Sequence, residues 1–455
     1  MSITTLNPYT EEIITTYDEF SSEKVNDIII AAHNAFLLWK LKSVTERTEL
    51  IKRLSDLLIE KQDVLAEIMT TEMGKPISIS KGEVLKCADL CKFYVEHGAE
   101  YIKTEHIKTN LPNSRIVYEP LGVILSIMPW NFPFWQVFRF AVPTLIAGNT
   151  ALLKHSPNTT GCSLAIEKLF EDAGFPKGIF TSLIIDVDKV PAIIESPFVK
   201  GVTLTGSNRA GKAVASKAGE MMKKTVLELG GSDPYIILED ADLDLAARTC
   251  VISRMLNSGQ TCISAKRLIV VEKVAEEFEK KLVGEMLKIK FGDPMDIKAE
   301  YGPMARMDLK ENISRQFEQS IKMGAECIFK GEIPERKGYF SPAAILKNVK
   351  PGMPAYDEEL FGAVVTLFVV KNEDEAIRMA NDTIYGLGAG VFTKDVEHGL
   401  DIASNRINAG SCVVNTLVTS TPGLPFGGIN QSGYGRELSS YGMREFVNIK
   451  TVYSK

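Results

Sequence analysis

The sequence predicts an α/β fold in which helices cover parallel β-sheets. Three observations support this prediction. From about residue 115 onward, short apolar runs of strand length alternate with longer segments of helical periodicity. The 455 residues suffice for two or more domains of roughly 100–200 residues each. A hydrophobic content of 45% with 24% charged residues is that of a globular chain, which excludes disordered and fibrous classes.

The first hundred residues are predicted to be mainly helical. Residues 23–40 and 44–73 carry apolar side chains at helical spacing, and the stretch MGKP closes the second segment with a glycine and a proline.

The next segment has the rhythm of a parallel sheet with crossover helices. The β-branched run 115–130 is followed by the strand-like runs TALLKHSP, GIFTSLII, KGVTLTGS and KTVLELGG, and residues 160–172 and 208–222 between them have helical periodicity. This alternation is typical of dinucleotide-binding domains. After Gly231 it restarts with PYIILED, RLIVVE, a helix over 274–289, AVVTLFVV and GLGAGVFT, which predicts a second α/β unit.

Charge and cysteine content exclude several classes of partner. The net charge of −6 and the dispersed Lys and Arg residues give no reason to expect nucleic acid binding. The amino terminus lacks a targeting pattern and no apolar run approaches 20 residues, so we expect a cytoplasmic protein without a membrane partner. Seven scattered cysteines indicate free thiols rather than disulfides; Cys87 and Cys91 lack further ligands, so no metal site is predicted.

Cys262, in the stretch SGQTCISAK, is a candidate nucleophile. A thiol needs a base, positive potential or backbone donors to ionise at neutral pH. None of the five histidines lies in a catalytic context, which disfavours a Cys–His hydrolase. Glu228, at the end of an apolar strand, offers instead a desolvated carboxylate that could act on water. Taken singly, Cys262 is equally a core residue and Glu228 a strand-end residue.

Further motifs bring these residues into one pattern. They are PWNFPFWQ (129–136), LTGSNRAG (204–211), EELFG (358–362) and PFGGINQSGYGRE (425–437), and Glu228 precedes Cys262 by 34 positions. With these motifs the chain resembles the aldehyde dehydrogenase superfamily over essentially its whole length, and within it the shorter bacterial and archaeal succinate-semialdehyde dehydrogenases.

The resemblance implies three structural parts and a homodimer or homotetramer. An NAD(P)-binding domain of Rossmann-like fold is expected over 1–105 and 121–230, and a catalytic α/β domain over 231–430. A small β oligomerisation element is expected over 106–120 and 431–455.

The resemblance also implies a covalent mechanism. Cys262 attacks the aldehyde carbon, and the side chain of Asn131 stabilises the resulting oxyanion together with the backbone N–H of Cys262. Hydride then leaves for the cofactor, and Glu228 activates the water that hydrolyses the thioester.

The implied cofactor is NAD or NADP. Gly206 and Ser207 are expected to bring backbone and hydroxyl donors to the pyrophosphate at a helix N-terminus. Trp130 matches a further pyrophosphate donor, Glu359 the carboxylate on the nicotinamide ribose and Phe361 a ring beside the nicotinamide. Lys154 is expected at the adenosine ribose. Where NAD-preferring relatives carry a glutamate that repels a 2′-phosphate, this chain has Pro157, with Ser156 next to it. Both cofactors are therefore expected to bind.

Arg139 indicates the substrate. It interrupts an apolar stretch, so that either a protein carboxylate or a substrate carboxylate is needed beside it. It lies eight residues after Asn131, as in succinate-semialdehyde dehydrogenases. We therefore expect a small aldehyde with a distal carboxylate, most simply succinate semialdehyde, with Ser420 as a second contact. The second arginine of longer relatives is replaced by Leu256, with Arg254 two positions before it.

Two alternatives stay open and two are disfavoured. A broad-specificity aldehyde dehydrogenase is the main alternative, and one methylene changes binding by only about 1–3 kcal/mol, so glutarate semialdehyde fits as well. A CoA-acylating enzyme generally lacks the equivalent of Glu228, and an inactive scaffold is expected to have lost Cys262, Glu228 or Asn131.

Overall fold

The computed structural model describes residues 2–333 and 335–455. Its α-helices, in chain order, are α1 Ser22–Trp39, α2 Val44–Glu60, α3 Gln62–Met73, α4 Ile77–Tyr101, α5 Trp135–Ile146, α6 Thr160–Asp172, α7 Val190–Glu195, α8 Asn208–Glu220, α9 Leu243–Met255, α10 Glu272–Met286, α11 Met307–Lys322, α12 Pro354–Asp357, α13 Glu373–Asn381, α14 Val396–Asn405 and α15 Ser439–Arg444. Its strands are β1 Ser2–Leu6, β2 Ile13–Asp18, β3 Glu105–His106, β4 Arg115–Pro120, β5 Val123–Met128, β6 Thr150–His155, β7 Phe180–Ser182, β8 Val199–Thr205, β9 Lys224–Glu228, β10 Pro234–Ile237, β11 Arg267–Val271, β12 Glu326–Lys330, β13 Ala344–Lys347, β14 Val364–Val370, β15 Gly388–Phe392, β16 Ser411–Val414, β17 Gly433–Tyr434 and β18 Val447–Val452.

The first large sheet has the order β17-β9-β8-β5-β6-β7. Strands β5 to β9 are parallel, and only β17 runs antiparallel to its neighbour β9. The chain proceeds outward from β5 in both directions, so its carboxyl edge is a topological switch point, where ligands of such sheets bind.

The second large sheet has the order β12-β13-β14-β11-β10-β15-β16, parallel except for β12. Its central strands β10 and β11 are buried on both faces, which explains why they read as continuous apolar runs. Two mainly parallel sheets covered by helices confirm the α/β prediction.

The apolar run 115–130 forms two strands, β4 and β5. Strand β4 pairs with β18 and β3 in a separate small sheet, whereas β5 lies at the centre of the first large sheet. Gly122 separates them with a φ of 142°, a backbone conformation that only glycine adopts readily. The strand at the carboxyl end pairs within its own chain, and the predicted oligomerisation role of this small sheet stays a prediction.

Three local features differ from the sequence prediction. The chain begins with an antiparallel hairpin, β1–β2, before the helical region. The predicted helix over 44–73 is divided at Lys61 into α2 and α3. Residues 433–434, assigned by sequence to the oligomerisation element, extend the first large sheet as β17.

Helices α4 and α5 carry much of the candidate site. Every residue of α5 is buried, which includes Arg139. Glu83 of α4 accepts the backbone N–H groups of Phe134 and Trp135 at 2.9 and 3.0 Å, so it caps the start of α5 and fixes the two helices together. Cys87 and Cys91 are buried on the same helix α4.

Among the described residues, no helix combines the length and the apolar composition needed to cross a bilayer. The cytoplasmic location stays a prediction.

Candidate active site

The carboxyl ends of the first sheet collect most of the residues that the sequence singled out. Trp130 and Asn131 follow β5, Lys154 lies near the end of β6, Gly206 and Ser207 follow β8, and Glu228 ends β9. Because parallel strands end at a common edge, chain segments about a hundred residues apart meet there.

The segment before Cys262 has an unusual backbone. Asn257, Ser258 and Gly259 all have positive φ angles, of 55°, 56° and 77°. A side chain at Gly259 would lie 2.3 Å from the backbone carbon of Gly362, so only glycine fits. Such strain persists only where the surroundings hold it.

Arg254 supplies much of that support. Its guanidinium donates to the carbonyl of Gly259 at 2.6 Å and that of Leu360 at 3.1 Å, and also to the carbonyl of Gly362. It is therefore directed at the backbone and binds the Cys262 loop to the segment around Glu359. The cavity described below is lined instead by Leu256.

Asn131 lies against this loop. Its side-chain Nδ2 donates to the carbonyl of Gln260 at 3.0 Å, two residues before Cys262, and its own carbonyl accepts from Asn257 Nδ2 at 2.7 Å. The structure thus brings the predicted amide to the predicted nucleophile segment.

The thiol of Cys262 is partly exposed on the wall of a cavity. Burial raises its pKa to about 11, while the positive charges of Lys266 and Arg139 act in the opposite direction. In this state the thiol is therefore protonated at neutral pH.

Lys266 connects the nucleophile segment with Glu359. Its ammonium donates to the carbonyls of Gly231 and Cys262, both at 2.6 Å, and to Glu359 Oε1 at 2.7 Å. All three N–H groups are used. Glu359 also accepts the backbone N–H of Gly231 at 3.2 Å.

Glu228 is buried beside a second carboxyl, Glu437, and Arg139. The Nε atom of Arg139 forms an ion pair with Glu437, and its Nη2 lies 3.5 Å from the hydroxyl of Thr205. No hydrogen-bond partner of either Glu228 oxygen is found among the residues described. Burial, reinforced by the charge of Glu437, raises the pKa of Glu228 well above its usual range. The raised pKa favours the neutral form of Glu228.

The cavity that exposes the thiol has a volume of about 310 Å³, at the lower end of the roughly 300–1,000 Å³ of ligand pockets. Its walls are mainly apolar. Glu228 and Asn131 are not part of the cavity wall. The apolar lining includes Phe132, Trp135, Leu256, Ile263, Val418 and Phe426, and the polar lining includes Glu83, Lys86, Arg139, Thr261 and Ser420.

Both predicted substrate residues line this cavity. The guanidinium of Arg139 lies 4.6 Å from the ring centre of Phe426. The hydroxyl of Ser420 accepts from Trp135 Nε1 at 2.9 Å and from Lys86 Nζ at 3.0 Å. Of the two possibilities for Arg139, the structure shows a protein carboxylate, Glu437, beside it.

Two of the predicted cofactor residues, Trp130 and Phe361, are in contact. Trp130 and Phe361 pack edge to face with ring centres 5.8 Å apart. No acceptor for the indole N–H of Trp130 occurs within the described chain. A side chain at Gly230 would meet Glu359 Oε2 at 2.4 Å, so the carboxylate is held closely against a glycine backbone.

Lys154 is a buried cation without a direct partner. Burial lowers its pKa, partly offset by Asp186 and Glu19. No ion pair or hydrogen bond of its ammonium is found within residues 2–333 and 335–455. Ser156 donates its hydroxyl to Asn158 Oδ1 at 2.7 Å. An unpaired buried cation at this edge fits the ribose or phosphate oxygens of a dinucleotide.

The structure corrects the expectation for Gly206. Its N–H donates to the carbonyl of Glu228 at 2.9 Å and is therefore not free for a phosphate, because the turn continues the pairing of β8 with β9. Ser207 is exposed at the start of α8, where its hydroxyl oxygen accepts the N–H of Ala210 at 3.3 Å. Its hydroxyl hydrogen stays available as a donor.

Sequence reasoning missed Lys86, Lys266 and the tethering role of Arg254. Lys266 follows Cys262 by four residues and belongs to the motif SGQTCISAK, so the sequence alone could have indicated that it lies near Cys262. Lys86 gave no comparable signal, since it meets Ser420 only through tertiary contact across 334 residues.

The chain is similar to known proteins in sequence and in fold. The model of the aldehyde dehydrogenase family matches residues 1–452. The chain is 44% identical over 453 residues to a probable succinate-semialdehyde dehydrogenase (NADP(+)) of Synechocystis sp., with 100% of both chains covered. It is 41% identical to the Escherichia coli succinate semialdehyde dehydrogenase (NAD(P)+) Sad, covering 98% of this chain and 97% of that protein. A crystal structure of succinic semialdehyde dehydrogenase from Streptococcus pyogenes in complex with NADP+ has a TM-score of 0.97, 37% identity and 99% coverage of both chains.

Replacement of Gly259 by alanine is expected to lower the free energy of unfolding by about 2–4 kcal/mol, because the new carbon meets the Gly362 backbone at a positive φ. Denaturant unfolding measures this change. Gly284→Ala in α10 is the control, since a side chain there meets nothing within 4 Å. Equal stability of the two variants would contradict the account of the loop.

Alkylation of Cys262 by iodoacetamide is expected to accelerate about tenfold per pH unit from pH 7 to 9, because the pKa of the thiol lies at about 11. The measurement uses a Cys327→Ser/Cys412→Ser background, in which Cys262 is the one partly exposed cysteine. The same background with Cys262→Ala is the control. A rate that levels off below pH 9 would show a thiolate at rest instead.

Proposed function

The chain belongs to the aldehyde dehydrogenase family, and we propose that it oxidises an aldehyde with a distal carboxylate, most simply succinate semialdehyde, to the acid with NAD or NADP. The observation that carries this proposal is the cavity of about 310 Å³, in which the Cys262 thiol shares largely apolar walls with Lys86, Arg139 and Ser420. An apolar chain with an aldehyde at one end and an anion at the other matches such a lining.

Cys262 and Asn131 account for the first step. The thiol sulfur bonds to the aldehyde carbon, and the thiol proton leaves, so that a tetrahedral oxyanion forms. The Nδ2 group of Asn131, fixed at the Gln260 carbonyl, and the backbone N–H of Cys262 are suited to stabilise it. Because the resting thiol is protonated, its proton passes to solvent before or during the attack.

Glu228 accounts for the last step. After loss of hydride the substrate is a thioester on Cys262, which water must hydrolyse to release the carboxylate. A buried carboxyl with a raised pKa is a good base near neutral pH once it loses its proton. Since its oxygens have no hydrogen-bond partner in the part of the chain described, no internal bond opposes their movement toward a water near the thioester.

The edge of the first sheet fits a dinucleotide. Lys154 would meet the adenosine ribose or a 2′-phosphate, Trp130 and Ser207 the pyrophosphate, and Glu359 the nicotinamide ribose. When bound, the cofactor supplies the hydride acceptor. Pro157 carries no charge to repel a 2′-phosphate, which supports use of NADP as well as NAD. The relatives named for NADP(+) and NAD(P)+ support the same conclusion.

The main alternative is a broad-specificity aldehyde dehydrogenase. In favour of it, Arg139 already has a protein carboxylate beside it, and the walls of the cavity are mostly apolar. The distinction therefore rests on whether a distal carboxylate improves the substrate.

The native enzyme is expected to prefer succinate semialdehyde over butanal by roughly 10–100-fold in kcat/KM, since charged hydrogen bonds contribute about 1.5–3 kcal/mol. The two aldehydes have the same number of carbons, so the ratio isolates the carboxylate. Initial rates with NAD and NADP in parallel measure it, and both cofactors are expected to support turnover. A ratio near one would favour the broad-specificity alternative.

Glu228→Gln is expected to reduce steady-state turnover by about 10²–10⁴-fold while a first burst of reduced cofactor remains, because hydrolysis, and not hydride transfer, needs the base. Stopped-flow absorbance separates the two phases. The exposed Glu239→Gln is the matched control. Equal loss of burst and turnover would remove Glu228 from the hydrolytic step.

A further inference from the structure

We propose that Lys86, together with the hydroxyl of Ser420, binds the distal carboxylate of the substrate, and that Arg139 is the weaker contact. This inference rests on the proposed function, because it names the group that recognises the substrate's charge. It assigns the specificity of the cavity to a residue of helix α4.

Lys86 lines the cavity and, unlike Arg139, has no carboxylate partner among the described residues. Its ammonium lies 4.0 Å from the ring centre of Trp135, and one of its N–H groups donates to Ser420 at 3.0 Å. Neither an ion pair nor a second hydrogen bond of Lys86 occurs in the described residues. Two N–H groups are therefore left to donate.

The nearby carboxylates are engaged elsewhere. Glu83, one helical turn before Lys86, accepts two backbone N–H groups on Oε1 and pairs with Lys75 through Oε2. Glu437 pairs with Arg139. An anion that enters the cavity therefore finds Arg139 already compensated and Lys86 uncompensated, and the net attraction is larger at Lys86.

Ser420 is prepared to donate. Its oxygen accepts from both Lys86 and Trp135, which uses its two acceptor positions. Its own proton finds no acceptor among the residues that the structure describes. A carboxylate is an acceptor-only group, so one oxygen on the Ser420 hydroxyl and one on Lys86 satisfies both donors.

The resting ionisation of Lys86 gives a pH signature. Burial, and then the charge of Arg139, lower its pKa to about 8, while Cys87 and Glu83 oppose this. A carboxylate is attracted only to the protonated form, which is lost as the pH rises through about 8. The preference for succinate semialdehyde over butanal in kcat/KM therefore falls above that pH. Titration of Cys262 or Glu228 affects both aldehydes and cancels in the ratio.

The test compares Lys86→Met and Lys86→Arg with the native enzyme, with Lys92→Met as the control. Lys92 is exposed on the same helix and pairs with Asp89. Lys86→Met is expected to lower the kcat/KM ratio of succinate semialdehyde to butanal by roughly 10–100-fold, mainly through KM for the acid. Lys86→Arg keeps a charge and is expected to retain most of the ratio without its fall near pH 8. Lys92→Met is expected to keep the native ratio and pH profile.

The outcomes separate the two proposals. If the native kcat/KM ratio of succinate semialdehyde to butanal is near one, both the proposed carboxylate-bearing substrate and the role of Lys86 are contradicted. A native ratio well above one that stays unchanged in a folded Lys86→Met, as judged by thermal melting, overturns the role of Lys86 and leaves the proposed function in place. If Lys86→Met does not fold, the pH profiles of the native enzyme and Lys86→Arg decide, and identical profiles overturn the inference.

Discussion

The strained turn at Asn257–Gly259 is the constraint on which the candidate site depends. Three consecutive positive φ angles reverse the chain after α9 and deliver Cys262 to the cavity wall. The cost of such a backbone must be offset by its surroundings. Arg254 and Asn131 both contact the turn, so the proposed oxyanion-binding amide and the proposed nucleophile share one support. A displacement of the turn would move both groups together.

Most of the charged side chains around the cavity are paired with a side chain of opposite charge. Lys266 is paired with Glu359, Arg139 with Glu437, and Lys75 with Glu83. Buried pairs of this kind add little net stability, because desolvation offsets the attraction. Their consequence is that, among the described residues near the site, only a few ionisable groups lack a partner. Lys86 and Lys154 are cations with room for an anion, and Glu228 is a carboxyl whose pKa is raised by burial.

The order of strands and helices along the chain was predictable from the sequence, because buried parallel strands and the helices between them have recognisable apolar patterns. The two sheets, α6 and α8 follow from apolar runs and their spacing. The division of 115–130 into β4 and β5 does not follow from periodicity, because both strands are β-branched; only the family resemblance implied a boundary after residue 120. Short motifs that resemble those of the aldehyde dehydrogenase superfamily identified Cys262, Asn131 and Glu228. Contacts such as the ion pair of Arg139 with Glu437, or the hydrogen bond of Lys86 to Ser420, join residues hundreds of positions apart, and local sequence patterns do not predict them.

The resting protonation states suggest why the two chemical steps do not interfere. The thiol of Cys262, whose pKa lies at about 11, is neutral near pH 7, and burial raises the pKa of Glu228, which favours the neutral form of that carboxyl as well. A neutral Glu228 adds no negative charge beside the developing oxyanion, whereas a carboxylate there would disfavour it. In the proposed mechanism the oxyanion is gone once the thioester has formed, and Glu228 is then needed in its ionised form as the base for water. The first step therefore favours a neutral Glu228, whereas the last step needs an ionised one. A carboxyl near Glu437 and Arg139, whose pKa is raised by burial, suits both steps when it releases its proton to solvent between them.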